Sequence, residues 1–158
     1  MSGELLRRAQ RGPKESPRDS LRYSGFWRRF RAVLIDTIIL LIITIPILIS
    51  LYGWDYFESE ALVAGIGDFL ISWVFPAAAT LVFWVYKQAT PGKMLLRMKI
   101  IDAKNGSKPS ILQYIIRYAG YFVSMIPFGL GYLWIVWDPQ KQGWHDKLAG
   151  TIVVHAID

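Results

Sequence analysis

The feature that most constrains this chain is a run of 21 residues, 32–52, that contains a single charged side chain, Asp36. An α-helix of that length rises roughly 30 Å, which is enough to cross the hydrocarbon core of a bilayer. A second run, residues 61–86, has 26 residues and one charge, Asp68. The two runs predict two membrane-spanning helices. A composition of 53% apolar and 19% charged residues supports the membrane class.

A third apolar stretch, residues 111–137, contains one charge, Arg117, and is interrupted near its middle by proline and glycine. Three alternatives stay open: one crossing, a membrane hairpin, or an interfacial helix followed by a re-entrant segment. Gln113, Arg117 and Ser124 form a narrow polar stripe at helical spacing. This stripe suits either a helix turned toward other helices or an interfacial one, and we favour an interfacial amphipathic helix over residues 111–126.

The distribution of basic residues predicts the orientation in the cytoplasmic (inner) membrane. Residues 1–31 carry nine Lys or Arg against three acids, residues 87–110 carry six against one, and residues 53–60 carry three acids and no base. By the positive-inside rule, the first two segments face the cytoplasm and the acidic loop faces outward. Attraction to anionic lipid headgroups accounts for the basic tail, so no nucleic-acid partner is expected.

The chain divides into a tail and one membrane domain. Residues 1–22 are polar and predict a disordered basic cytoplasmic tail, and residues 23–158 predict a transmembrane domain. Residues 94–101 and 151–154 suit two short strands. We expect them to pair at the cytoplasmic face and to bring the C-terminus back inside. The predicted fold is an all-α membrane protein: a helical bundle of three or four membrane segments, a short cytoplasmic β-hairpin-like element and the interfacial amphipathic helix.

Two charged residues of the first run share a helical face. Arg29 and Asp36 are seven residues apart, which places them within about 20° of each other and roughly 10 Å apart along the axis. One hypothesis is that Asp36 pairs with Arg29 or Arg117 and fixes the helices together. The other is that Asp36 titrates and binds a cation or relays a proton. Asp68, a secondary candidate, is either a hydrated outer residue or part of a polar path.

The C-terminal segment holds three further candidates, Asp138, His145 and Asp146, of which the first two are secondary candidates. Neighbouring residues in sequence do not converge on a metal without a bend, and no second histidine lies nearby, so we expect no metal site. A hydrogen-bonded turn that ties this segment to the arginine of the first helix is favoured instead. The chain has no cysteine. It also lacks a nucleotide-binding loop, a nucleophile elbow and a zinc helix, so we expect no catalytic residue, no cofactor and no enzyme.

Three segments, GFWRRFRAVLID, PGKMLLRMKIIDAKNG and GWHDKLAGTIVV, resemble the RDD family of membrane proteins. That family takes its name from one arginine and two aspartates. The resemblance covers about residues 24–154 and assigns the arginine to Arg29, the first aspartate to Asp36 and the second to Asp146, with Asp138 as the less favoured alternative. It implies transport of ions or other ligands, since some members are described as sodium/proton exchangers, or a role in assembling membrane complexes.

These observations lead to two functional hypotheses. In the first, the protein transports or binds an ion: Asp36 titrates, Arg29 holds or displaces a monovalent cation, and Asp146 closes the site from the cytoplasmic side. Three or four membrane segments can enclose a pathway only when several copies of the chain assemble. We therefore expect a homo-oligomer. In the second, the protein is a non-catalytic assembly or scaffold subunit of a larger membrane complex, and the charged triad is an internal staple.

Overall fold

The computed structural model describes residues 21–156, and almost all of the predicted disordered tail lies outside them. The exceptions are residues 21 and 22, which belong to a strand rather than to a disordered segment. The strands are β1 (Leu21–Tyr23), β2 (Met98–Asp102) and β3 (Thr151–Ala156). The helices are α1 (Phe26–Tyr52), α2 (Ile66–Lys87), α3 (Pro91–Leu95), α4 (Ile111–Met125), α5 (Leu130–Val136) and α6 (Trp144–Ala149).

The two long helices, α1 and α2, are the predicted spans with shifted ends, and both are long and apolar enough to cross a membrane. α1 begins six residues before the apolar run because arginine is a good helix former and the helix continues through the basic segment. α2 begins after Gly65, because the backbone at Gly65 has a φ of 155° and is not helical. In its first half α2 contains a π-helical turn, Leu70–Val74, which ends two residues before Pro76 and its missing N–H donor.

The three strands form one antiparallel sheet in the order β1-β3-β2, at what we call the sheet end of the molecule. The predicted pairing of the two strand-like segments is confirmed, with Ile100 opposite Val153. It is not a hairpin, because residues 103–150 lie between the strands and β1 adds a third strand. β2 begins at residue 98, four residues later than predicted, because residues 94 and 95 belong to α3, which starts at Pro91.

The sheet decides one alternative for the third apolar stretch. Because β2 and β3 are hydrogen-bonded neighbours, residues 103–150 begin and end at the same sheet and cannot cross the bilayer once. Within them α4 and α5 are bent by 113°. The count of three or four membrane segments stays a prediction, because it depends on how deeply this bent pair enters the bilayer.

The polar stripe of α4 faces the protein interior. Arg117 and Ser124 are buried, and Gln113 donates from its side-chain amide to Asp102 Oδ2 at 2.7 Å. The hydroxyl of Ser110 and the side chain of Gln113 form a capping box that fixes the start of α4. This polar face packs on α6 and is hydrogen-bonded to the sheet, so it gives no support to an interfacial placement of α4.

The densest apolar core also lies at the sheet end. It joins the two long helices, β2, α4 and β3 through the buried residues Ala32, Trp84, Met98, Ile100, Tyr114 and Val153. Most other large apolar side chains of α1 and α2 are exposed, as expected for helix faces that contact lipid. The core therefore fixes the polar residues of the sheet end against the two spanning helices.

Candidate functional site

Asp146, in the first turn of α6, is the centre of a buried charged cluster that we define as Arg29, Arg117 and Asp146. The carboxylate is fully buried, and its Oδ2 accepts from Arg29 Nη1 at 2.5 Å. Its Oδ1 accepts from Arg117 Nη1, and the backbone N–H of Gly143 donates to Oδ2 at 3.1 Å. Burial raises the pKa of Asp146, but the two guanidinium groups lower it by more than burial raises it. The pKa of Asp146 therefore lies well below its usual value.

Arg29 connects the start of α1 to the segment before α6. Besides Asp146, its Nε donates to the carbonyl of Ser24 at 2.9 Å and its Nη2 to the carbonyl of Lys141 at 2.5 Å. All three guanidinium nitrogens thus have protein partners. The tie between the C-terminal segment and the arginine of the first helix, which the sequence favours, is present in the structure.

Arg117 is even more deeply buried, at 1% exposure. Its Nη1 also donates to Thr151 Oγ1 at 2.7 Å, and its Cζ lies 5.3 Å from the ring centre of Trp84, a cation–π contact. Its Nε has no hydrogen-bond partner among the residues that the structure describes. One donor of this guanidinium therefore lacks an acceptor.

Asp36 shares a face with Arg29, as the seven-residue spacing predicts, and both line the same cleft. Its carboxylate nevertheless interacts elsewhere: Oδ2 accepts from the hydroxyl of Thr90 at 2.5 Å and Oδ1 from the backbone N–H of Gly92 at 2.6 Å. α3 lies against α1 at this point, and Asp36 accepts from one backbone N–H, that of Gly92, in the first turn of α3. Asp36 thus fixes α3, whereas Arg29 pairs with Asp146.

Asp68 lies near the turn between α1 and α2 and does not line the cleft. It accepts from the hydroxyls of Tyr56 at 2.8 Å and Ser72 at 2.6 Å, and from the backbone N–H of Ala64 at 2.8 Å. At 3% exposure it is buried rather than hydrated. Its contacts organise the loop before α2 and make no polar path to Asp36.

Asp138 and His145 support the cluster from the C-terminal segment. Asp138 forms an ion pair with Lys147 and accepts from the backbone N–H of Gln142 at 3.1 Å. Burial lowers the pKa of His145 to about 3, so its imidazole is neutral near pH 7 and packs on the Tyr121 ring at 4.5 Å. Within residues 21–156, no three His, Cys, Asp or Glu side chains are grouped to hold a metal ion.

The cluster lies at one end of a cleft of about 780 Å³ between α1, α2, α4 and α5. Its polar lining includes Arg29, Asp36, Lys93, Arg117 and His145, and the remaining walls are mostly apolar. The cleft is thus amphipathic: ionisable groups converge at the sheet end, and apolar side chains of the long helices form its sides. Such a shape is typical of a ligand site with a few placed polar groups.

Lys93 is a site residue that the sequence patterns do not single out. It is 5% exposed, its Nζ lies 5.4 Å from the Trp84 ring centre, and burial lowers its pKa. No hydrogen bond or ion pair connects it to another described residue. In the sequence, Lys93 is one of several lysines in a polar loop and has no distinguishing pattern. Only its position between Pro91-Gly92 and two apolar residues could have suggested a short helix with the lysine turned inward.

The family model of the RDD family matches residues 23–150. This chain belongs to the RDD family. The expectation from the three sequence segments is confirmed, and the RDD chain is a membrane protein with two helices suited to cross a bilayer.

Three related proteins match different shares of the chain. An uncharacterized protein of Rickettsia prowazekii, RP437, is 42% identical over 47% of this RDD chain, and the chain spans 40% of its length. The uncharacterized membrane protein YteJ of Bacillus subtilis is 26% identical over 96% of the chain and 93% of its own length. Another Bacillus subtilis protein, the uncharacterized protein YxaI, is 29% identical over 84% of this chain and 97% of its own length. No solved structure matches this RDD chain.

Proposed function

We propose that this RDD protein binds an ion at the polar end of the cleft and acts as a small ion-binding or ion-transport protein of the cytoplasmic (inner) membrane. The main support is the convergence of two arginines, a lysine, an aspartate and a histidine on one cleft with largely apolar walls. Charged groups within a membrane domain are costly and commonly mark ion or substrate sites. The cleft volume lies within the range of ligand pockets, roughly 300–1,000 Å³.

The charges around the cleft favour an anion. Three cationic side chains, Arg29, Lys93 and Arg117, are accompanied by two carboxylates, Asp36 and Asp146. Asp146 accepts from both arginines, and Asp36 accepts from a hydroxyl and a backbone N–H, so Lys93 has no carboxylate of its own. This sign differs from the monovalent cation that the sequence suggests, and the same experiment tests both.

We further propose that the sheet end is cytoplasmic and the turn after α1 is outside. The basic residues of 87–110 lie around the sheet end, whereas the acidic residues of 53–60 lie beyond the other end of α1. Anionic headgroups would then contact the sheet end. Two spanning helices enclose no pathway alone, so transport requires further copies of the chain or a larger complex.

Flux measurements in reconstituted vesicles test the proposal. Purified protein is placed in vesicles with separate gradients of chloride, sodium and protons, and the variants Lys93→Gln and Asp36→Asn are compared with Lys87→Gln. Lys87 is an exposed lysine at the end of α2 and is the matched control. We expect an anion flux that Lys93→Gln removes and Lys87→Gln retains.

Sodium-dependent proton flux that Asp36→Asn abolishes would instead establish the cation hypothesis. Thermal unfolding in neutral detergent confirms that each variant remains folded. If wild-type vesicles show no flux, binding is measured directly by the shift in unfolding temperature with added salts. No ion-dependent shift and no flux would contradict the proposal.

A second function, an assembly or scaffold subunit, is favoured by one observation. The three guanidinium nitrogens of Arg29 and both oxygens of Asp146 all have partners within the chain, as expected of an internal staple that needs no ligand. Under this function, the wild-type protein shows no flux and co-purifies with a fixed partner at constant stoichiometry.

A further inference from the structure

The closed end of the cleft carries three buried donors that lack an acceptor within the described part of the chain. Trp84 Nε1 and Arg117 Nε have no hydrogen-bond partner, and no hydrogen bond or ion pair engages Lys93 Nζ. Their residues are 0%, 1% and 5% exposed. A buried donor without an acceptor carries a desolvation cost, and such groups in native proteins call for a missing partner. All three lack an acceptor, which is what an anion supplies.

These donors belong to neighbouring side chains that line one cleft. Lys93 Nζ lies 5.4 Å and Arg117 Cζ 5.3 Å from the ring centre of Trp84, so both cations are centred on the same indole. All three residues line the cleft. Burial lowers the pKa of Lys93, and a bound anion would offset that effect by stabilising the ammonium form.

The opposite side of the cleft opens onto the apolar surface of the long helices. Apart from Thr37, its exposed lining residues are apolar, and those on α1, α2, α4 and the bend after α4 are Phe30, Val33, Ile43, Phe83, Met125 and Phe128. Phe128, at the bend, is fully exposed. In a membrane protein this surface contacts acyl chains, so the cleft is open to a ligand that arrives laterally from the bilayer.

We propose that the cleft binds an anionic amphiphile, with its singly charged head against Lys93 and its apolar tail among the exposed apolar residues at the open side. This deepens the proposed ion site by naming its ligand class, and it rests on that proposal. A small inorganic anion would leave most of the apolar cleft unused. The ester and hydroxyl oxygens of an uncharged lipid could accept from the two unpaired donors but would leave the ammonium of Lys93 without a counter-charge.

The charge count and the cleft volume limit the head and the tail. One excess cationic side chain matches a head with one negative charge, such as a carboxylate or a phosphodiester. A volume of about 780 Å³ suits a ligand with a single chain better than a whole two-chain phospholipid. We therefore expect a carboxylate amphiphile, and the test includes a phospholipid to separate the two sources.

The experiment compares two ligands that share one acyl chain and differ in the charge of the head. The purified full-length chain in uncharged detergent is titrated with a long-chain fatty acid, at a pH where the acid is ionised, and with the methyl ester of the same acid. Bound ligand is counted by native mass spectrometry. Wild type should prefer the acid by at least about tenfold, the size expected for a charge-assisted contact. Lys93→Gln and Lys93→Met should lose this preference.

Two further variants serve as controls. Lys93→Arg keeps the charge and should keep the preference, and Lys87→Gln removes an exposed lysine and should leave it unchanged. Displacement of the acid by phosphatidylglycerol but not by phosphatidylcholine would assign the head to a phospholipid. Failure of both to displace it would assign a single-chain ligand.

Several outcomes separate this inference from the proposed function. The amphiphile proposal is contradicted if wild type binds the acid and the ester equally. It is also contradicted if both neutral Lys93 variants keep the preference for the acid. Binding of inorganic phosphate that depends on Lys93, without binding of the acid, also overturns it but leaves the ion site standing. If neither the acid nor any inorganic ion binds, both proposals fail.

Discussion

At the scale of single residues, Asp146 holds the buried charges of the sheet end together. One carboxylate accepts from two buried guanidiniums, on α1 and α4, while it lies in the first turn of α6. A buried ion pair adds little net stability over an apolar equivalent, but removing one partner leaves an uncompensated buried charge. The effect of Asp146 on the free energy of unfolding is therefore measured by replacing it.

Replacing Asp146 by Asn should destabilise the protein strongly. The variant keeps the side-chain shape but leaves Arg29 and Arg117 without their counter-charge, and the expected loss is about 3–5 kcal/mol. Thermal unfolding in neutral detergent measures it. Asp55→Asn, in the exposed turn after α1, is the matched control and should unfold with the wild type. Equal stability of the two variants would show that the arginines are compensated by other means.

His145 predicts a pH dependence of stability. Its pKa is lowered by burial to about 3 in the folded protein, whereas the unfolded chain has the ordinary value of about 6.5. Between these values the unfolded state binds the extra proton, so stability falls as pH decreases from about 6.5 toward 3, by up to ~1.4 kcal/mol per pH unit. Unfolding temperatures between pH 7 and about 4.5 measure this slope. His145→Asn should flatten it, and an unchanged slope would assign the effect to other groups.

Sequence reasoning at this scale placed Arg29 and Asp36 on one face, but the suggested pairing of Asp36 with Arg29 or Arg117 is wrong, because both arginines pair with Asp146. Helical periodicity reports which residues share a face and carries no information on partners from elsewhere in the chain. Asp146 is 117 positions from Arg29, and only the family resemblance pointed to it. Lys93 and Thr90 had no sequence signal, because their roles depend on the packing of α3 on α1.

At the scale of elements, the short helix α3 positions both Asp36 and Lys93. It packs on α1 at Gly92, where the two backbones approach closely. A Cβ at Gly92 would overlap the carbonyl oxygen of Ala32 and lie 3.0 Å from Asp36 Cγ. Glycine is therefore needed here for close approach.

Gly92→Ala should push α3 away from α1 and weaken both the fold and the site. Overpacking of this kind costs about 1–3 kcal/mol, measured as a lower unfolding temperature. Gly25→Ala is the control, since a Cβ at Gly25 meets nothing within 4 Å. Because α3 carries Lys93, Gly92→Ala should also reduce ligand binding. A variant with wild-type stability and binding would show that α3 can shift without consequence.

Sequence patterns predicted the long elements well and the short ones poorly. The apolar runs identified α1 and α2 because a bilayer requires about 20 consecutive apolar residues. α3 overlaps a segment that mixes apolar and basic residues, and the Leu, Met and Ile residues of that segment suggested a strand. The bend between α4 and α5 follows from Pro127 and its glycine neighbours, but sequence alone did not give its direction.

At the scale of the whole molecule, the sheet brings three distant segments to one side. β1 precedes α1, β2 follows α3, and β3 follows α6, so all three connections return to the same end. This is consistent with two crossings, by α1 and α2, and a bent pair that enters and leaves on one side. The sequence anticipated the pairing of β2 with β3, and β1 was missed because it is three residues long.

Cysteine labelling can test this topology, since the chain has no native cysteine. Single cysteines at Lys104 and Gln140, both exposed, should react with a membrane-impermeant maleimide only from the cytoplasmic side of the membrane. A cysteine at Glu60 should react only from the opposite side. Labelling of positions 104 and 140 from opposite sides would mean that α4 and α5 make one crossing, and would contradict the sheet.

The sign of the charge at the cleft is tested most directly by tryptophan fluorescence quenching with iodide and with caesium. Trp84 lies at the polar end of the cleft, between Lys93 and Arg117, and its contribution is the difference between wild type and Trp84→Phe. Each ion is referred to its effect on free tryptophan, because caesium is the weaker quencher. If the site attracts anions, iodide should quench Trp84 more than caesium does on this relative scale, and Lys93→Gln should remove most of that preference. Relative quenching of Trp84 by caesium as strong as by iodide would contradict an anion site and favour the cation that the sequence first suggested.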